Sequence, residues 1–388
     1  MEVLDAILII VVIYVLVYII GQAIGVDKLA EKGIDVSVPF FCMWKTERLN
    51  AFLTRMGKKF PKAFFNLGII VAFGGMIVGF WMFGDNLLKF FIAPEQAGGI
   101  VPIIPGVTIT GLPLVYMLIG LAITLVVHEF AHGLASSKDG IPIKGSGLVF
   151  MLVLFGGFVE PDEEIFETEA SPQARMRLLA AGSYANLIWA AFFLVIMLNM
   201  GSILGVGFNA PDGAYVYGVQ GGSPAEDTIA IGDVIIGLND TDINTWYDVS
   251  LFMANTTTGE QLEVHTLEGS FMLTLGNATA DSTRGYIGIN GADYWEAKPG
   301  VDLFFDSMFA FHFQQIMTWT FIILFSVALF NLLPIPMLDG DKLLSNALSL
   351  KIKDEKKIKY IMWPARIAAL LIVILSIALT FLTGKSLF

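Results

Sequence analysis

The sequence predicts a polytopic α-helical membrane protein, with about six spans and a re-entrant β-hairpin, carrying one inserted soluble domain. Three observations predict it. Of the 388 residues, 55% are hydrophobic and 15% charged, whereas soluble domains average about 45–50% apolar and about 25% charged residues. Six apolar stretches approach or exceed the roughly 20 residues a helix needs to cross about 30 Å of hydrocarbon. One internal segment, 205–305, differs in kind, with 14 acidic residues against Arg284 and Lys298 alone.

The expected spans are residues 4–24, 63–83, 112–136, 178–204, 308–333 and 361–382. The first opens Met1-Glu2-Val3-Leu4-Asp5, without the basic region or small-residue cleavage site of a signal peptide, and reads as a retained span. Orientation follows from Lys and Arg beside the spans. Eight fall between Lys28 and Lys62, none in 93–111, four from Lys138 to Arg177, and six from Lys342 to Lys359. The basic loops are therefore expected in the cytoplasm, and both termini and segment 205–305 outside. A plasma membrane of an archaeon or bacterium suits this arrangement.

Segment 205–305 has a net charge of −12, which leaves 21 basic and 21 acidic residues elsewhere. It reads as a separate water-exposed domain, long enough for its own core. Asn239, Asn255 and Asn277 stand there in Asn-x-Thr sequons, candidate N-glycosylation acceptors on an outward-facing surface. The expected organisation is 1–111 (two spans and a basic loop), 112–204 (first part of a catalytic core), 205–305 (the inserted domain), 306–345 (second part of the core) and 346–388 (a basic loop and the last span).

One cysteine, Cys42, and four histidines exclude a multi-cysteine metal site, so a metal must be held by imidazoles and carboxylates. His128-Glu129-Phe130-Ala131-His132 ends the third span. Positions i and i+4 share a helix face, so both imidazoles can reach one Zn²⁺. Glu129 would then flank a water and take its proton. Ionisable residues within a span are costly and by default functional. Catalytic zinc needs a third protein ligand and one open position. His265 and His312 fall on the wrong side of the membrane, so the ligand must come from another helix.

The fifth span ends Asn331-Leu-Leu-Pro334-Ile-Pro336-Met-Leu-Asp339-Gly340-Asp341. Two prolines break a helix, which a bilayer permits only where protein or a water-filled cavity satisfies the freed groups. Asp339 is the candidate third ligand; Asp341 suits a turn or helix cap. Residues 147–159 are apolar but number only 13, about 20 Å as a helix. Too short to span, they suggest a re-entrant hairpin, with a short buried helix as the alternative. A hairpin edge can pair with an extended substrate, and Gly156, Gly157 and Phe158 are the candidate substrate contacts.

A His-Glu-x-x-His motif in one span with Asn-x-x-Pro-x-Pro-x-x-Asp-Gly in a later one resembles the signature of the site-2 proteases, the intramembrane zinc metalloproteases, over residues 112–344. The resemblance implies one Zn²⁺ per chain on His128, His132 and Asp339, Glu129 as the base, and Asn331 holding the substrate strand. Pro334, Pro336 and Gly340 would support the site. Gly182-Ser-Tyr-Ala-Asn186 resembles the family's Gly-Pro-x-x-Asn element, with serine in place of proline, and adds Asn186 as a support. The implied substrates are single-span membrane proteins already cut once outside, met in the lipid bilayer.

In the acidic segment, Gly222-Ser-Pro-Ala-Glu226, Gly232-Asp-Val-Ile235 and Arg284-Gly-Tyr-Ile-Gly-Ile289 resemble a circularly permuted PDZ domain. That resemblance implies an α/β fold that either binds a peptide C-terminus or acts as a steric filter. Nucleic acid is not an expected partner. The alternatives are a metal-binding transporter and a catalytically inactive protease-like scaffold. Glu129 separates the first from a protease, since transport needs no base between two ligands.

Overall fold

The computed structural model describes residues 3–36, 38–100, 102, 108–109, 111–151, 154–277 and 283–383, without the side chains of 3–10, 154 and 307. The chain forms two compact units, Met1–Leu194 with Ile316–Phe388, and Val195–Gln315.

The first unit opens with α1 (Val3–Ile24), α2 (Val26–Ala30), β1 (Ile34–Asp35), β2 (Phe41–Lys45), α3 (Glu47–Lys59) and α4 (Lys62–Ile92). It continues through α5 (Gly111–Lys138), β3 (Ile143–Met151), β4 (Leu154–Pro161), α6 (Glu163–Thr168) and α7 (Pro172–Leu198). In the second unit follow α8 (Met200–Leu204), β5 (Ala214–Val219), β6 (Val234–Leu238), β7 (Thr241–Asp242) and α9 (Trp246–Met253). Then come β8 (Gln261–Thr266), β9 (Ser270–Thr274), β10 (Gly276–Asn277), β11 (Gly285–Tyr286) and β12 (Ile289–Asp293). The chain ends with α10 (Ser307–Asn331), α11 (Asp339–Ser349) and α12 (Glu355–Leu382).

Among the described residues, five helices are long and apolar enough to cross a membrane: α4, α5, α7, Met308–Asn331 of α10, and α12. The first expected span lies on α1, of which Val11–Ile24 counts only as a shorter apolar helix and the remainder falls on side chains outside the described set. A helix apolar all round cannot leave its surface in water, so these five need lipid or protein on every side. Three of them share a core with α11: Phe65 and Ala72 of α4, Ala131 and Ala135 of α5, Leu179 and Ala180 of α7, and Leu343 of α11 are all buried in it. Ala131 and Ala135 bracket His132 on α5. The packing that closes the core therefore also sets the depth and rotation of the histidine face.

Strands β1-β2-β3-β4 form an antiparallel sheet in that order, with β4 at its edge. The hairpin expected in 147–159 is present and longer than its apolar run, which removes the buried-helix alternative. Gly156 and Gly157 lie inside β4 rather than at the turn. Their place has a steric reason: a Cβ at Gly156 would sit 2.8 Å from Leu125 Cβ, and one at Gly157 3.2 Å from Val126 Cα. Two glycines let the strand lie directly against α5.

In the second unit, an antiparallel sheet ordered β12-β5-β6-β8-β9, with β7 on β6, carries the single longer helix α9. Its core is Val216, Ile235, Leu238, Ile243, Leu262, Val264 and Leu275. Alternation puts Leu262 and Val264 of β8 on one face, and a bulge in β6 between Ile235 and Gly237 lets Ile235 and Leu238, three residues apart, both face the core. A capping box between Thr245 and Asp248 starts α9, and the Trp246 N–H donates to Asp293 of β12. The unit is a separate α/β domain with its own core, as expected for the acidic insert. Asn255 and Asn277 are exposed, whereas Asn239 turns the chain at φ 48° and its side-chain oxygen accepts from Glu263 N–H at 2.8 Å. Thr279, which completes the Asn277 sequon, lies outside the described residues.

Candidate metal centre

Helix α5 presents His128 and His132 from one face, buried at 6% and 8% exposure. The chain returns to them at Asp339, the first residue of α11. Between α10 and α11, Pro334 and Pro336 prevent the helix from continuing. Met337 takes a left-handed φ of 81°, which for a non-glycine residue costs on the order of 1–3 kcal/mol. Gly340 lies so close to the Leu332 carbonyl that no Cβ fits there. This bend aims the Asp339 carboxylate back at α5.

Three donor atoms converge. His128 Nε2 lies 3.1 Å from Asp339 Oδ2, His132 Nε2 lies 3.3 Å from the same oxygen, and the two Nε2 atoms are 3.0 Å apart. Bonds of about 2.0–2.1 Å arranged tetrahedrally separate their donors by about 3.3–3.4 Å, so the spacing fits zinc. It is the one group of three or more His, Cys, Asp or Glu donors so placed among the described residues.

The ring nitrogens turned away from this triangle are held too. His132 Nδ1 lies 2.8 Å from the Leu178 carbonyl, which can only accept, so Nδ1 carries the proton and Nε2 offers its lone pair. His128 Nδ1 lies 3.1 Å from the Asn186 amide. The amide oxygen of Asn186 is buried without a partner. The two ends of an amide are told apart by their hydrogen bonds alone. With those ends exchanged, the oxygen accepts from Nδ1–H and leaves His128 Nε2 free as a donor to metal. Gly182, one helical turn before Asn186 on α7, passes between the imidazoles. A Cβ there would lie 2.5 Å from His128 Nε2 and 2.6 Å from His132 Nε2.

Glu129 faces β4. Ser146 of β3 accepts from Thr46 N–H on the β2 side, and Ser146 is opposite Val159, so Val159 turns its own backbone outward from the sheet. The Val159 N–H donates to Glu129 Oε2 at 3.2 Å. The Asn331 amide nitrogen lies 3.2 Å from His128 Nε2. The structure thus brings His128, Glu129, His132, Asn186, Asn331 and Asp339 together. Gly156 and Gly157 instead lie along Leu125 and Val126, and the Phe158 ring carries Lys45 Nζ at 5.9 Å from its centroid. The hairpin reaches Glu129 through the Val159 amide, and the Gly157 backbone also lies against Phe130 of the motif, where a Cβ would come within 3.4 Å of Cε1. Sequence pattern does not single out Leu178 or Val159, and it marks Gly182 only as the start of an element. Leu178 and Val159 act through backbone groups that every residue has, and Gly182 acts through the absence of a side chain.

Across residues 116–374 the sequence matches the family model described as Peptidase family M50. An uncharacterized protein of Methanocaldococcus jannaschii is 29% identical over 302 residues, 74% of this chain and 72% of that one. A membrane-bound transcription factor site-2 protease homologue of Arabidopsis thaliana is 24% identical, over 53% of this chain and 40% of its own length. A Clostridium acetobutylicum protein provisionally named a zinc metalloprotease is 29% identical, over 33% of this chain and 38% of its own. Among solved structures, the PDZ domain of an SdrC-like protein of Listeria monocytogenes is 23% identical with a TM-score of 0.19, covering 21% of this chain and 87% of that one.

Proposed function

Because the chain belongs to peptidase family M50 and is an integral membrane zinc metalloprotease, we propose that it hydrolyses peptide bonds in or near the transmembrane segment of single-span membrane proteins, after a first cut outside. The observation that carries this reading is the placement of Glu129 and the three converging donors at the end of an apolar, membrane-length helix. His128, His132 and Asp339 would hold one Zn²⁺ per chain. When bound, the ion supplies Lewis acidity toward a carbonyl and acidifies water.

The remaining work falls to the chain's own groups. Glu129 takes a proton from the attacking water and returns it to the leaving amine. The Val159 N–H holds its carboxylate toward the site. An unwound substrate helix loses internal hydrogen bonds, each costing several kcal/mol if unpaired in the bilayer. The outward edge of β4 and the Asn331 amide supply replacements, and β12, at the edge of the PDZ-like sheet, accepts a peptide C-terminus. Cleavage of a single-span protein by the purified chain in detergent tests the reading; a zinc-loaded chain that cut none would defeat it.

Asn331→Ala is expected to lower turnover about 10- to 100-fold, since it loosens substrate positioning, and to leave zinc content unchanged. Helix-breaking residues in the substrate should recover part of the loss. Wild-type turnover of an unbroken helical substrate would remove this role.

We place the PDZ-like unit outside a plasma membrane and His128 near the cytoplasmic face, on the strength of the basic loops. In a Cys42→Ser background, Asp227→Cys should react with a membrane-impermeant thiol reagent on intact cells. Reaction only after lysis would invert the topology.

A further inference from the structure

A charged side chain inside a span is rare and has a reason to be there. Arg366 lies on α12, two residues after Pro364, and the mechanism above does not use it. Its Nε and Nη2 donate to Oδ1 and Oδ2 of Asp341 at 2.7 and 2.8 Å. This is the bidentate geometry that fixes orientation as well as distance. Asp341 is only 6% exposed and stands in the first turn of α11, two residues beyond Asp339.

Leu343 and Gly340 hold the start of α11 by packing alone, and among the described residues no other side-chain bond fixes its rotation at the N-cap. Leu338, at the N-cap of α11, offers no side-chain bond to the helix. Met337 just before it is held in the left-handed region and is 92% exposed. An unfavoured backbone conformation persists only where its surroundings over-determine it. Gly340 against the Leu332 carbonyl limits approach from one side, and the Arg366 clamp sets rotation from the other.

We propose that Arg366 is a positioning residue for Asp339. Its grip on Asp341 sets the rotation of α11 that points the Asp339 carboxylate at His128 and His132, so metal affinity depends on a span that contributes no donor. The inference rests on the reading of those three residues as the zinc site.

The test is zinc affinity by chelator competition, on the purified full chain in detergent. Arg366→Leu should raise the zinc Kd about 10- to 100-fold, as loss of an outer partner typically does. Arg366→Lys, which keeps the charge but not the fork, should fall between it and wild type. Adding Met337→Gly to Arg366→Leu should recover affinity, because glycine adopts the left-handed conformation without an anchor. Wild-type affinity in Arg366→Leu would overturn the proposal and leave the zinc reading intact. So would a loss of folded, monodisperse protein that Met337→Gly does not reverse, since the ion pair would then be merely structural. A wild-type chain that binds no zinc would overturn the zinc reading and this proposal together.

Discussion

Glu129→Gln should lower the rate of peptide-bond hydrolysis by about 10²- to 10⁴-fold, the usual contribution of a positioned general acid–base group. About one zinc per chain should remain, as the three donors that converge are His128, His132 and Asp339. Glutamine has nearly the same shape and can still accept from the Val159 N–H through its amide oxygen, so neither packing nor the hairpin contact explains a loss. What it lacks is the ability to take a proton. The measurement is single-turnover cleavage of a single-span protein, with metal content determined on the same sample. A metal-replete Glu129→Gln protein cleaving at the wild-type rate would remove Glu129 as the base.

The second large effect concerns a residue without a side chain. Gly182→Ala places a methyl group 2.5 Å from His128 Nε2 and 2.6 Å from His132 Nε2, closer than real Cβ contacts come. Neither side can easily yield. Ala180 and Ala181 beside it on α7 are 0% and 3% exposed, and the Leu178 carbonyl already holds His132. Alanine gains about 0.8–1 kcal/mol of helix propensity over glycine, against about 1–3 kcal/mol for overpacking. The net change runs from about zero to about 2 kcal/mol destabilising, and the damage concentrates on the imidazoles. We expect zinc affinity to fall at least about tenfold, within the range for disturbed ligand support, and activity to fall with it, while helix content stays at the wild-type level. Gly182→Ala with wild-type zinc affinity would show that α7 can retreat from the site.

Two kinds of information are readable from residue order. Spacing is one: His128 and His132 four apart put two imidazoles on a face, and the 13 apolar residues of 147–159 are too few to span and long enough for a hairpin. Helix termination is the other, with Pro334 and Pro336 marking the break after which Asp339 stands. The structure places these groups together. It also adds a contact that the pattern does not show, the Val159 N–H on Glu129, while the two glycines let β4 lie against α5.

By itself the sequence determined which chemistry was available and on which elements: an apolar helix ending in two histidines and a glutamate, a broken helix ending in an aspartate, and an acidic insert with its own core. Tertiary structure alone decided how those donors are aimed. Leu178 is 46 residues from His132, Asn186 is 58 from His128, and Arg366 is 25 from Asp341. Periodicity describes only neighbours along one element, whereas these contacts arise where helices cross. Two of the groups involved, the Leu178 carbonyl and the Val159 N–H, belong to the backbone and have no signature in the sequence. The physical reason is the same for each: a ligand's tautomer and a base's orientation are set by whichever polar group packing brings within about 3 Å, and packing is a property of the whole core.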